Sequence, residues 1–146
     1  MKKNKYIFLF LALVLTSGCL SDAKSQEKES FTIIGNKGTT EIKTTIHFFW
    51  GQGCPYCEKE KLFLEEMKRK YPELEIKSYE AWSNPANAKF LQDLGKAYGI
   101  KIQGVPVTFI GDFKPIVGFS ENMKQDIENK IKNCIEKKCI DPKSKI

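Results

Sequence analysis

The residues best suited to chemistry are cysteines. The chain has five, and two of them, Cys54 and Cys57, are separated only by Pro55-Tyr56. The thiolate is the nucleophilic form of cysteine. A helix N-terminus stabilises it through unpaired N–H groups and the partial positive charge of the helix dipole. Three-residue spacing on one helical turn brings both sulfurs within bonding reach. The pattern suits thiol–disulfide exchange: Cys54, nearest the helix end, attacks, and Cys57, one turn deeper, resolves. Cys134 and Cys139 form a second pair. On a continuous helix their Cα atoms would stand about 8 Å apart, beyond the ~7 Å limit for a disulfide, so a bond requires the helix to end between them. Lys137-Lys138 suits such an end, and Pro142 prevents the helix from resuming. This pair is expected to be a structural disulfide, with a second redox pair relaying electrons to Cys54–Cys57 as the rival reading. His47, the only histidine, is expected to have a packing or surface role in a strand. The gap between the two cysteine pairs far exceeds zinc-ribbon spacing, so no metal or cofactor is expected.

The first pair needs a strand, a loop and a helix to hold it. Glu41 to Trp50 (EIKTTIHFFW) is rich in β-branched and aromatic residues and reads as a central, buried strand, broken by Gly51-Gln52-Gly53. Pro55 to Tyr71 reads as a helix with proline in its first turn and Leu64, Met67 and Tyr71 on one face; Pro72 ends it. Leu74 to Trp82 is the next strand. Asn84 caps and Pro85 opens a helix to about Tyr98, which Gly99 closes. Val105 to Ile110 and Pro115 to Phe119 form an antiparallel hairpin around Gly111-Asp112, with Phe113 and Phe119 in its core. Ser120 is expected to cap a last helix whose core face is Met123, Ile127, Ile131 and Cys134 or Ile135. The order β-α-β-α-β-β-α predicts an α/β fold: a mixed sheet between helices, with parallel pairing across the helical crossover.

The remainder of the chain addresses the domain to a place. Lys2, Lys3 and Lys5 precede an apolar run, Tyr6 to Leu15, that is too short to span a bilayer and right for a signal peptide. Ser17-Gly18-Cys19 then resembles the lipobox at which prokaryotic lipoproteins are cleaved and lipidated, with Thr16 where the pattern usually has leucine. Residues 1–18 are therefore expected as signal peptide, 19–30 as the lipidated Cys19 and a polar tether, 31–142 as the domain and 143–146 as a C-terminal tail. The expected location is the outward face of the cell membrane, held by lipid; secretion or an uncleaved anchor are the alternatives, and all three allow disulfides. A length of 146 residues and 41% hydrophobic content fit one globular domain. Its net charge of +6 shrinks to near balance without the three leader lysines, which argues against a nucleic-acid partner.

Phe48-Phe49-Trp50-Gly51-Gln52-Gly53-Cys54-Pro55-Tyr56-Cys57 and Gly104-Val105-Pro106-Val107-Thr108-Phe109 resemble the two signatures of the thioredoxin superfamily. The resemblance spans about Glu41 to Cys139. It implies a thioredoxin-like three-layer sandwich and a thiol–disulfide oxidoreductase that needs no cofactor. It also implies a cis bond at Val105–Pro106 facing Cys54, where the neighbouring backbone meets the substrate chain. Val105, Pro106, Tyr56 and Trp50 are the expected substrate contacts, with exported thiols or disulfides and a membrane redox partner as partners. Two departures matter. Classical thioredoxin carries a buried acidic residue on the preceding strand, whereas this chain has Phe48, so no proton acceptor is expected there. Pro-Tyr is the dipeptide of glutaredoxins, yet Val117-Gly118-Phe119-Ser120 stands where their glutathione site has Gly-Gly and Asp. Export and the late cysteine pair look more like envelope thioredoxin-like proteins. The alternatives are an inert disulfide at Cys54–Cys57, a zinc site on Cys54, Cys57, Cys134 and Cys139, or a metal- or haem-maturation module that uses the dithiol stoichiometrically.

Overall fold

The computed structural model describes residues 43–146. The expected signal peptide, Cys19, the tether and the first residues of the expected domain lie outside the described residues. The element order is β1 (Thr44–Trp50), α1 (Pro55–Lys70), β2 (Leu74–Glu80), α2 (Pro85–Ala97), β3 (Val107–Ile110), β4 (Ile116–Val117) and α3 (Lys124–Lys137), with 3₁₀ turns at Glu121–Met123 and Pro142–Lys145. No helix among the described residues is long and apolar enough to cross a membrane.

The strand order is β2-β1-β3-β4. β1 and β2 are parallel, with Thr44 opposite Leu74 and Trp50 opposite Glu80. β1 and β3 are antiparallel, with Ile46 opposite Ile110 and Phe49 opposite Val107, and β3 and β4 are antiparallel. Side chains alternate across the pleat, so β1 feeds two cores. Ile46 and Phe48 pack with Phe63, Leu64 and Met67 of α1 and with Ile127, Ile131 and Cys134 of α3. Phe49 packs on the opposite face with Leu91 and Leu94 of α2 and with Phe109. The fold is the expected α/β three-layer sandwich, and β1 is buried because helices cover both of its faces.

Several boundaries differ from expectation for identifiable reasons. Asn84 caps α2 as expected, its Oδ1 accepting from the Ala86 and Asn87 amides at 3.1 and 3.2 Å. Ser120 does not cap a helix. Its hydroxyl bonds the Asn122 side chain and makes no bond to the backbone, and a 3₁₀ turn intervenes before α3 begins at Lys124. β3 starts at Val107, leaving Val105 and Pro106 outside the ladder. β4 shrinks to two residues, with Gly118 at φ +80° ending it.

The last helix ends between the second pair of cysteines. Lys138 adopts the left-handed conformation at φ 54°, and the Cys139 amide returns to the Cys134 carbonyl at 3.1 Å. Cys134 and Cys139 are thereby disulfide-bonded, with Cα atoms 4.7 Å apart. Gly111 lies against this bridge; a Cβ there would come within 2.6 Å of the Cys134 sulfur. Beyond the bridge the chain folds back. Asp141 caps the final 3₁₀ turn through the Lys143 amide and bonds His47 Nε2 at 2.6 Å. Residues 143–146 are thus folded onto the body: Lys145 pairs with Asp112 at 2.6 Å and lies over the Tyr98 ring. His47 is fully buried, stacked on Tyr79 and edge-on to Phe90. Burial holds its imidazole below the ordinary 6.5, against Asp141, which favours the cation.

Replacing both Cys134 and Cys139 with serine should therefore do two things. The closed loop is short, so stability should fall by ~2 kcal/mol, at the low end of the disulfide range. The segment carrying Asp141 should loosen, and the His47 titration followed by NMR should move toward its ordinary value as water reaches the ring. An unchanged melting temperature together with an unchanged His47 titration would show that the bridge holds nothing in place.

Candidate redox site

The site forms where β1 runs out. Gly53, at φ +78°, turns the chain, a conformation that glycine adopts without steric cost. The Cys54 amide donates to the Gly51 carbonyl at 3.1 Å, closing the turn. Cys54 then occupies the N-cap of α1 with extended backbone angles, and its sulfur accepts from the Cys57 amide at 3.3 Å. Pro55 follows at the first helical position, where a missing N–H costs nothing. The two cysteines are joined by a disulfide with Cα atoms 5.2 Å apart. Cys54 is 5% exposed and Cys57 is 1% exposed, so any attack from outside reaches Cys54 first.

The opposite wall comes from the loop before β3. The Val105–Pro106 bond is cis, and the Val105 carbonyl oxygen lies 3.9 Å from the Cys54 sulfur. The Pro106 carbonyl accepts from the Gly118 amide at 2.8 Å, which ties this wall to β4. Tyr56 stands out beside the disulfide, more than half exposed. Trp50 is half-buried, packed on the α1-side core with the Lys61 ammonium 5.7 Å above its ring.

Three residues of this region escaped the sequence reading. Trp82 is 61% exposed, and its indole covers Gly51 so closely that any side chain at Gly51 would collide with it. It borders a cleft of about 210 Å³ lined also by Ala81, Leu91, Ile102, Gly104 and Val105, which continues from the cis-proline wall. Glu80 holds the Trp82 loop in place. Its carboxylate accepts from the Ser83 hydroxyl at 2.6 Å and from the Ser83 and Trp82 amides at 2.9 and 3.0 Å. These bonds, the Ser83 hydroxyl first, keep the carboxyl charged down to a pKa of about 2.

The third is Glu60, which is 0% exposed and sits one turn beyond Cys57 on α1. Its Oε1 accepts from the Thr108 hydroxyl at 2.6 Å, while Oε2 is buried without a hydrogen-bond partner among the described residues. Burial raises its pKa from 4.5 to about 7, outweighing the Thr108 bond that favours the anion. The absence of a buried carboxyl inferred from Phe48 thus holds for the strand and not for the site: helix α1 brings one in. Cys57, Glu60, Leu64 and Met67 step by three and four along one face, and a glutamate on that apolar stripe was the signal.

The two disulfides stand toward opposite ends of the sheet. The Cys134–Cys139 bridge lies on Gly111, which follows the residue paired with Ile46, whereas Pro106 precedes the residue paired with Phe49. Strand rise puts these levels on the order of 15 Å apart. Each cysteine pair closes on itself, and no cluster able to hold a metal occurs among the described residues.

No family model matches the chain, and no curated protein matches its sequence. Solved structures do. A protein described as thiol:disulfide interchange protein DsbE from Chlorobium tepidum is 16% identical, with 65% of this chain and 82% of that one covered and a TM-score of 0.49. Mitochondrial thioredoxin 3 from Saccharomyces cerevisiae is 18% identical, with 63% and 82% covered and a TM-score of 0.47. A thioredoxin-like protein from Clostridium perfringens is 21% identical, with 70% and 90% covered and a TM-score of 0.45. The chain is similar in fold to these thioredoxin-like proteins.

Proposed function

We propose that the protein is a thiol–disulfide oxidoreductase working through Cys54 and Cys57, tethered to the outer face of a membrane and acting on exported proteins. The observation that carries the redox reading is the Cys54–Cys57 disulfide at the N-cap of α1, with Cys54 facing the Val105 carbonyl. A purely structural bridge has no need of a helix N-terminus, which stabilises the Cys54 thiolate both as the attacking group and as the group displaced from a mixed disulfide. In the oxidising direction a substrate thiolate attacks Cys54, the bond to Cys57 breaks, and a second substrate thiolate displaces Cys54. In the reducing direction the Cys54 thiolate attacks a substrate disulfide, and Cys57 then attacks Cys54 and releases the substrate thiol. Val105, Pro106 and Tyr56 border the place where the substrate sulfur must sit, and Trp50 supports this end of β1 from within. The tether and the exported partners rest on the basic start, the short apolar run and Ser17-Gly18-Cys19.

Equilibration with defined ratios of oxidised and reduced glutathione, read by alkylation, tests the redox reading. A single two-electron transition of Cys54–Cys57, with catalysed turnover of a disulfide-bonded peptide, is expected. Stoichiometric metal uptake without turnover would replace it by the binding-module reading. The separation of the two bridges predicts that Cys134→Ser/Cys139→Ser leaves the turnover rate unchanged. Labelling of cells with a radioactive fatty acid should mark the wild-type chain and not Cys19→Ser.

A further inference from the structure

The β2–α2 loop leaves a large aromatic side chain in solvent and holds it there. Trp82 is 61% exposed, and its indole lies against Gly51, in the loop that leads to Cys54. The Glu80 carboxylate accepts from the Trp82 and Ser83 amides at 3.0 and 2.9 Å, and the Gln52 backbone donates to it as well. One carboxylate thus ties the tryptophan loop to the loop before the reactive cysteine. The Asn87 side chain donates to the Glu80 carbonyl at 2.8 Å and fastens the same loop to α2. An indole fixed in this way loses little conformational freedom when another group packs on it.

The cleft of about 210 Å³ runs beside it, over Ala81, Leu91 and Ile102 of the α2-side core. None of its lining residues is charged. Gln92 and Gln103 are its polar side chains, and Gln92 already donates to the Ile102 carbonyl at 3.2 Å. Pockets that enclose a whole small molecule run to about 300–1,000 Å³, so this one has room for a side chain rather than a cofactor. Val105 belongs to both sites: it lines the cleft, and its carbonyl lies 3.9 Å from the Cys54 sulfur. A molecule that reacts at Cys54 fills the cleft only if it continues past its own sulfur. Charge decides which kind of molecule gains by doing so. Glutathione ends in carboxylates, and no lining residue is a cation to meet them, while the Glu80 carboxylate stands behind Trp82. An aliphatic or aromatic side chain instead displaces water from the indole and from the apolar lining.

We infer that the Trp82 cleft is a subsite for an apolar side chain of a polypeptide substrate, close in sequence to the reacting cysteine, and that Trp82 selects for it. This rests on the redox reading above and names its substrate class: polypeptides with apolar residues flanking the cysteine, in preference to glutathione. The exchange at Cys54 runs as already described; the cleft decides which disulfide is presented to it.

The test is the second-order rate at which the reduced full-length chain is oxidised by disulfide-linked peptide dimers, read by acid quench and alkylation. The peptides are identical except that leucine, glycine or aspartate flanks the cysteine on both sides; glutathione disulfide is the fourth oxidant. Wild type should react with the leucine dimer at least tenfold faster than with the glycine dimer, and more slowly still with the aspartate dimer and glutathione disulfide. Trp82→Ala should bring the leucine-to-glycine ratio below threefold, and Trp82→Phe should keep most of it. Gly51→Ala is an independent variant. Gly51 is not at positive φ, so its backbone accepts alanine, but the new Cβ would meet the indole and displace it. The ratio should fall in Gly51→Ala, and adding this change to Trp82→Ala should lower it no further. A wild-type ratio near one, or glutathione disulfide as fast as the leucine dimer, would overturn the assignment. So would equal slowing of both dimers by Trp82→Ala, which would make the indole a support for the Cys54 loop and nothing more. A dimer of the oxidised protein in sedimentation, lost in Trp82→Ala, would also overturn it by giving the cleft to a second copy of the chain. Failure of every disulfide to oxidise the wild-type protein would instead defeat the redox reading itself.

Discussion

Cys57→Ser is expected to capture substrates and not release them, while Cys54→Ser reacts with none. Cys54 is the more accessible of the two sulfurs and the one seated at the N-cap, where it accepts the Cys57 amide. That hydrogen bond and the helix dipole favour its thiolate, so its pKa should fall below the ordinary ~8.5. Brief alkylation of the reduced protein at pH 5 followed by mass spectrometry should label Cys54 almost alone. In Cys57→Ser the first step proceeds and no internal thiol remains to resolve the product. Mixed disulfides should therefore accumulate to one per protein, visible as reductant-sensitive adducts mapping to Cys54, and turnover should stop after a single event. Cys54→Ser should fall to the uncatalysed background. Preferential labelling of Cys57, or adducts that persist in Cys54→Ser, would reverse the two roles.

Much of this arrangement was legible because local signals agreed with one another. Pro55 at a first helical position, Asn84-Pro85, and Gly53 and Gly99 at positive φ each fixed a boundary by its own geometry. The requirement that α3 end between Cys134 and Cys139 followed from helical rise alone, and Lys138 satisfies it. What stayed illegible depends on pairing across the fold. His47 looked like an ordinary strand residue, because nothing in its neighbourhood in sequence announces Asp141, ninety-four positions later. Ser120 carried the right side chain for a cap but spends it on Asn122. Trp82 looks in the sequence like the end of a strand, since its position over Gly51 arises only when the β2–α2 loop meets the loop before Cys54. Glu60 is the instructive case. Its place on the apolar face of α1 is visible in the spacing, yet a glutamate among lysines and glutamates passes for a solvated residue until the helix is docked.

Stability should carry the mark of that burial. In the oxidised protein the thiols do not titrate, so Glu60 can be followed by itself. Its pKa rises from 4.5 to about 7 on folding. Between these values the unfolded chain has lost the proton that the folded chain retains. Stability conferred by this group is therefore fully present below pH 4.5, declines as pH rises at up to about 1.4 kcal/mol per unit, and is exhausted above pH 7. The total is about 3 kcal/mol. His47 acts in the opposite sense: its folded pKa lies below 6.5, so its contribution is lost as pH falls below that value. The two slopes overlap, and the raw pH profile will look flatter than either. Subtracting the profile of Glu60→Gln isolates the carboxyl, because glutamine keeps the shape and can still accept from Thr108 while carrying no charge in either state. Urea unfolding from pH 4 to 8 should find the two proteins about equally stable at pH 4 and the glutamine variant about 3 kcal/mol more stable at pH 8. A pH-independent difference would show that Glu60 titrates at its ordinary value. A carboxyl at this position lowers stability at neutral pH because, among the described residues, only the Thr108 hydroxyl offsets its burial.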